Sequence, residues 1–364
     1  MKINDYMKRM NYFIKIALAI LLILSIGSCK KAEEEKGIED QDGTTETPEE
    51  SSEVIPDQQN TEYFGIEALD EGNIIFYSSE GYYQYGPSIM RYEDGSMDAW
   101  FSSPGNSGSQ WDWISYRHSD DGIEWSDEEI VLRPTPGSKD QCSVCDPGVV
   151  FFGGYYYLGY TATDYYAGNG SYNSAFVARS QYPDGPFEKW NGNSWGGDPE
   201  PIIKYEGDPD GFGIGEISFV VLNEDLYIYY TYYDLSGGNI ELAKADLTED
   251  WPSTIRYKES VLLRENQDSL DVVYDERLNK FFGFSIDLRM TEQSRLIMYE
   301  SQNGKEFTKV DSTKTNIKDF AHNVGVSKSP EGHIDSNDEL LVGYAYGEKW
   351  GRWNTVMQRV AIIR

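Results

Sequence analysis

Five short segments of this 364-residue chain carry one pattern, a polar or glycine position followed by an apolar β run. They read Tyr85-Gly86-Pro87-Ser88-Ile89, Cys145-Asp146-Pro147-Gly148-Val149, Gly215-Glu216-Ile217-Ser218-Phe219, Leu270-Asp271-Val272-Val273-Tyr274 and Ala321-His322-Asn323-Val324-Gly325. With Gly86, Asp146, Glu216, Asp271 and His322 taken as equivalent, the steps are 60, 70, 55 and 51 residues. A repeat of roughly 50 residues built from short strands predicts radially arranged sheets, a β-propeller. In that arrangement each innermost strand begins near the axis, so Asp146, Glu216, Asp271 and His322 are expected to converge on one central pocket.

Strand patterning fills in the repeat. The first blade reads Tyr85–Tyr92, Met97–Ser102, Trp113–His118 and Glu129–Arg133, with Asp121-Gly122 at the outer turn, where residues tolerant of positive φ are needed. The second reads Gly148–Phe152, Tyr155–Ala162, Ser174–Ser180 and Pro201–Lys204, and the third Ile217–Leu222, Leu226–Tyr232, Ile240–Ala245 and Ser260–Leu263. The fourth reads Asp271–Tyr274, Lys280–Ser285, Arg295–Ser301 and Phe307–Val310; its turn Ser301–Phe307 echoes Ser119–Trp125. The fifth has only Asn323–Lys328, Leu340–Tyr346 and Val356–Ile362, so the N-terminal run Asn73–Tyr77 is expected to close it. Helical periodicity with caps is almost absent. The predicted fold is an all-β, five-bladed propeller over residues 61–364, its last blade closed by an N-terminal strand.

The first 60 residues read differently. Lys8 and Arg9 precede an apolar stretch from Phe13 to Ile26, and small residues follow at Gly27 and Ser28. A basic start, a short apolar core and a small-residue cut site describe a secretory signal over residues 1–28. The core is shorter than the roughly 20 residues of a spanning helix. Residues 29–60 are acidic, without aromatics before the end, and read as a disordered, extended tether. Cys29 directly after the small residues resembles a bacterial lipoprotein signal, which implies lipidation at Cys29. The expected location is then the cell envelope, at the outer membrane or surface, with the membrane met only through the lipid.

Composition narrows the partners. The net charge of −31 excludes ordinary nucleic-acid binding, which needs Lys and Arg against phosphates. The 28 Tyr and 9 Trp suit a neutral sugar. Tyr85, Trp111, Trp113, Tyr165 and Tyr166 are candidate stacking residues, although packing accounts for such aromatics equally well. Cys142 and Cys145 lack the second pair or the histidines of a metal site. In an exported chain they read as a local disulfide that stiffens the approach to Asp146. The protein is expected to act as a monomer.

The runs Asp146–Tyr160, Ala178-Arg179-Ser180 with Gly185-Pro186-Phe187, and Gly215–Phe219 with Leu226–Thr231 resemble the second and third blades of the five-bladed glycoside hydrolases, family 43 and its relatives. The likeness spans roughly residues 72–364. It implies hydrolysis of poly- or oligosaccharide glycosidic bonds, with Glu216 as general acid and Asp146 as the carboxylate that tunes and orients. It also implies that His322 lies under the pocket, where such a histidine often helps to hold a water or a calcium ion. The first-blade general base is expected in an Asp-Pro pair, and here stands Gly86-Pro87. Asp271 is the first candidate for the missing carboxylate; Asp112, Asp208 and Asp210 are others. The same Gly86 supports the alternative of a carbohydrate-binding propeller without turnover. A sialidase-like propeller rests only on the turn Ser119–Trp125, and a purely protein-binding propeller has no residue pattern of its own.

Overall fold

A computed structural model describes residues 64–364 except 73, 78–82, 106–109, 169 and 265–266. The signal segment, Cys29 and the tether lie outside the described residues. The described chain is all-β, with two single 3-10 turns, at Tyr166–Gly168 and Trp251–Thr254.

The strands are β1 (Gly65–Ala68) and β2 (Ile74–Tyr77), then β3 (Tyr85–Arg91), β4 (Met97–Pro104), β5 (Asp112–Ser119) and β6 (Glu129–Leu132). Next come β7 (Ser143–Phe152), β8 (Tyr155–Thr163), β9 (Ser174–Ser180) and β10 (Glu188–Lys189), followed by β11 (Gly213–Leu222), β12 (Asp225–Asp234), β13 (Gly237–Asp246) and β14 (Arg256–Arg264). The C-terminal part holds β15 (Asp271–Asp275), β16 (Lys280–Asp287), β17 (Arg295–Ser301), β18 (Thr308–Thr313), β19 (Ala321–Lys328), β20 (His333–Ile334), β21 (Leu340–Lys349) and β22 (Arg352–Ile363). Three antiparallel meanders form separate sheets, β7 to β10, β11 to β14 and β15 to β18. The fourth sheet runs β1-β22-β21-β19-β3-β4-β5-β6. In it a short parallel pair, Ser327 with Ile89 and Lys328 with Met90, joins the last meander to the first.

Two outer strands differ from the sequence reading. The chain meets β22 twice: β1 pairs with its C-terminal half, Gly65 opposite Ile363, and β2 with its N-terminal half, Ile74 opposite Met357. The run Ile74–Tyr77 is therefore one of two N-terminal segments that pair with β22. On β9 the outer partner is Glu188–Lys189, and Ile203 adds only an isolated bridge to Ala175.

Apolar side chains fill the space between successive meanders. Trp100 and Ile114 meet Val149 and Leu158; Val150 and Tyr157 meet Ile217 and Phe219; Val220 and Leu242 meet Val272 and Phe281. Phe284 and Met298 meet Val324 and Val342, and Leu341 and Met357 return against Ile89 and Phe101. Burial of such clusters, at about 25 cal/mol per Å² of apolar surface, is the dominant stabilising term.

One level of the inner strands explains the repeated small or polar residue. The Val149 N–H donates to Ser88 Oγ (3.0 Å), the Val272 N–H to Ser218 Oγ (2.9 Å) and the Val326 N–H to Asp271 Oδ2 (2.8 Å). At the two remaining contacts the backbones touch. A Cβ on Gly148 would lie 1.9 Å from the Ile217 carbonyl oxygen, and one on Gly325 1.7 Å from that of Pro87. Gly148→Ala or Gly325→Ala must push two inner strands apart. Each is expected to cost about 3 kcal/mol or more. Gly153→Ala, whose Cβ would meet nothing within 4 Å, should cost about 1 kcal/mol, for its positive φ alone. Urea unfolding of the three variants checks this.

Below this level the segment after β19 closes the other end of the inner strands. The carbonyls of Pro330, Glu331 and Gly332 accept from the N–H groups of Phe151 (2.8 Å), Val221 (2.8 Å) and Tyr274 (3.1 Å).

Candidate functional site

Four inner strands share a local distortion. The ladder slips between Tyr85 and Ser88, Cys145 and Gly148, Gly215 and Ser218, and His322 and Gly325. Within each slip one residue is left-handed: Gly86 (φ 61°), Asp146 (φ 48°), Glu216 (φ 53°) and Asn323 (φ 50°). A bulge of this kind re-aims a side chain, and a left-handed non-glycine residue costs of order 1 kcal/mol, so the surrounding structure must enforce it. The enforcement is visible. The Asp146 N–H donates to Ser102 Oγ (2.8 Å), the Glu216 N–H to Thr161 Oγ1 (2.8 Å) and the Asn323 N–H to Asp268 Oδ2 (2.6 Å). The equivalent of Asp146 and Glu216 on β19 is therefore Asn323, and His322 stands one residue earlier.

These residues line one small cavity of about 30 Å³ together with Pro87, Pro147, Ile217, Ser269, Leu270 and Asp271. Asp146 and Glu216 are nearly buried, at 9% and 8% exposure. Glu216 Oε2 accepts from Thr231 Oγ1 (2.6 Å), and its Oε1 faces Asn323 Nδ2 at 3.4 Å. Burial first, then the charge of Glu216, pushes the Asp146 carboxyl up to about 8. Two carboxylates confined together retain a proton at neutral pH, and the pair holds it jointly.

A cation balances the cluster. Arg289 Nη1 lies 3.1 Å from Asp268 Oδ1, and Asp268 is fully buried. Burial works against the guanidinium charge, but Asp268, Glu216 and Asp146 outweigh it and raise its pKa. Arg289 sits between Leu288 (φ 52°) and Met290 (φ 58°), two left-handed residues in a tight turn after β16. Strain on both sides of one arginine points to a positioned group.

The other expected site residues divide. Asp271 lies two residues deeper than the Asp146 and Glu216 positions. Its carboxylate accepts from Lys328 Nζ (2.5 Å), Ser218 Oγ (2.7 Å) and the Val326 N–H, so it fastens β15 to its neighbours. It pairs with neither Arg289 nor Arg295; the latter pairs with Asp287. His322 is 1% exposed, its Nδ1–H donates to Asn323 Oδ1 (2.7 Å), and its ring meets Trp353 at 4.5 Å. Burial and the Arg289 charge push it down to about 4, so it is neutral. Calcium takes roughly six to eight oxygen ligands. Among the described residues no three His, Cys, Asp or Glu side chains are placed together to hold a metal.

Tyr85 packs between Tyr83 and Trp353 (5.7 and 5.2 Å) near the cavity. Trp113 is packing: Arg133 covers its ring at 5.0 Å and its Nε1–H donates to Gln110. Trp111 meets Tyr166 edge-on at 6.5 Å, and Tyr165 packs on Tyr172 at 5.8 Å. Asp208 and Asp210 are exposed on their loop. Cys142 and Cys145 are free thiols. Sequence reasoning missed Arg289, Asp268 and Asn323; the only signal was the polar Asn directly after His322.

No family model and no curated protein matches the sequence. Solved structures share the fold. Zg3597, a family 117 glycoside hydrolase of the marine bacterium Zobellia galactanivorans, superposes with a TM-score of 0.56 at 16% identity, covering 82% of this chain and 90% of that one. An endo-arabinase from Bacteroides thetaiotaomicron VPI-5482 gives 0.53 at 15% identity, covering 78% and 96%. The α-L-arabinofuranosidase PaAbf62A from Podospora anserina, solved with cellotriose, gives 0.54 at 11%, covering 83% and 97%. The fold is that of propeller glycoside hydrolases.

Proposed function

We propose that this chain is a five-bladed propeller glycoside hydrolase whose Asp146–Glu216 pair supplies the proton for departure of the leaving sugar. The observation that carries this is the pair itself: two carboxyl groups held left-handed on neighbouring bulges, nearly buried in one cavity and sharing one proton. Structural proteins avoid such confinement, because two carboxyl groups buried side by side oppose each other's ionisation. The resemblance assigns proton transfer to Glu216, and Asp146 keeps the proton available at neutral pH. Asp271 is not part of this reading. Five apolar interfaces, the last returning to the first, support the blade count.

The substrate class follows from the neighbours, which include the endo-arabinase, the α-L-arabinofuranosidase and an endo-1,4-β-xylanase from Bacteroides thetaiotaomicron VPI-5482 (TM-score 0.55, 13% identity). The test is turnover by the full chain of 4-nitrophenyl α-L-arabinofuranoside, 4-nitrophenyl β-D-xyloside and arabinan- and xylan-derived oligosaccharides. Release of reducing sugar supports the reading. Binding of these glycans without product favours the alternative that Gly86 motivates, a carbohydrate-binding propeller. Export and lipid anchoring at Cys29 complete the proposal. Metabolic labelling with a fatty-acid analogue should mark the wild type and leave Cys29→Ala unlabelled.

A further inference from the structure

We propose that Asp112 is the second carboxylate of the reaction, the base that activates water, in place of the side chain that Gly86 lacks. This rests on the hydrolase reading above. The vacancy is local and real. A Cβ on Gly86 would point at Asp146 Oδ1 from 3.3 Å, so the position faces the acid pair and offers it nothing.

Asp112 opens β5 in the same meander. The ladder places it opposite Pro104, two residues beyond Ser102, which receives the Asp146 N–H. Two residues of strand rise about 7 Å, so Asp112 stands about that far along the strand direction from the level of the Asp146 backbone. Inverting hydrolysis separates its two carboxyl groups by about 6.5–9.5 Å to admit a water. Its carboxylate is also oriented from both sides. Tyr83 Oη–H donates to Oδ1 (2.5 Å) and Ser143 Oγ–H to Oδ2 (3.0 Å). Ser143 lies on β7, three residues before Asp146, so the clasp ties Asp112 to the strand that carries Asp146. Asp112 is half-buried, open enough for a water.

The competing carboxylates are placed elsewhere. Asp268 is fully buried on Arg289, Asp271 fastens inner strands, and Asp208 and Asp210 are exposed. Burial raises the Asp112 carboxyl above its usual range, in the direction that makes a carboxylate a better base.

The step balances. Asp112 takes a proton from water, the water oxygen bonds to the anomeric carbon, and the bond from that carbon to the leaving oxygen breaks. The proton of the Asp146–Glu216 pair goes to the leaving oxygen. Asp112 ends protonated and the pair ionised, and exchange with solvent restores both.

The experiment compares wild type, Asp112→Asn, Asp112→Ala and Glu216→Gln on 4-nitrophenyl α-L-arabinofuranoside and β-D-xyloside, with and without sodium azide. Loss of about a thousandfold in kcat for both Asp112 variants at unchanged Tm, with azide restoring turnover of Asp112→Ala and yielding a glycosyl azide, is the expected result. Activity within tenfold of wild type in folded Asp112→Asn overturns the assignment. So does a loss in both variants that azide does not repair, since a mere clasp would behave that way. In either case activity that Glu216→Gln abolishes leaves the hydrolase reading standing. A wild type inert on every glycan overturns both.

Discussion

Asp146→Asn should yield a protein more stable than the wild type at neutral pH and nearly without activity. An unfolded aspartate ionises near 3.8, while folded Asp146 holds its proton to about 8. Between these values the folded chain binds a proton that the unfolded chain has released. The stability this group contributes is therefore complete at acid pH and is lost as pH rises through that window. At pH 7 the folded chain has crossed about three units, worth up to about 4 kcal/mol at 1.36 kcal/mol per unit. An amide cannot ionise, so the variant escapes this loss, and its Tm should stay level from pH 5 to 8 while that of the wild type declines. Turnover should fall by about a hundredfold or more, because Glu216 then lacks the neighbour that keeps a proton in the pocket. Thermal scans across pH, beside kcat for any glycan the wild type cleaves, check both halves. A variant less stable than wild type at pH 7 would contradict the shared-proton assignment.

Glu216→Gln carries the other large effect. The amide keeps the shape of the side chain and an acceptor for Thr231 Oγ1, but it removes the transferable proton site and the charge that lifts Asp146. Loss of a general acid costs about 100- to 10,000-fold. The loss should be in kcat with KM little changed, because no ground-state contact need disappear. Substrates with a leaving group as acidic as 4-nitrophenol need less protonation, so they should suffer less than natural oligosaccharides. The ratio of the two losses, from steady-state kinetics, separates a proton donor from a binding residue. Equal losses on both substrates would remove Glu216 from the acid role.

The axial convergence of Asp146 and Glu216 was legible because both sit in the same five-residue pattern, and spacing reports which strand begins a repeat. The exact register was less so. On β19 the bulge falls at Asn323, one residue past His322, and the pattern of apolar residues is the same for either choice. On β15 no slip is present, Asp271 opposing Phe284 in regular register, so an acidic residue in a similar motif took a different job. Such a distinction depends on where a neighbouring strand offers Ser102, Thr161 or Asp268 to an N–H, and those residues lie far off in sequence. Arg289 was invisible for the same reason. It stands in a loop with no periodicity, and only the left-handed turns beside it mark it. The expected disulfide is not formed: Cys142, on the bend before β7, and Cys145, within it, are both buried free thiols. The pairing of β1 with β22 was missed because Gly65-Ile66-Glu67-Ala68 holds one large apolar residue, where Ile74–Tyr77 holds four.

The dependence of kcat/KM on pH for glycoside hydrolysis by the wild type probes the acid pair most directly. A level rate up to about pH 7, falling tenfold per unit above about 8 as the Asp146–Glu216 pair gives up its proton, is the expected profile. A rate that stays level through pH 9, or no turnover at any pH, would contradict the assignment of this pair as the proton source.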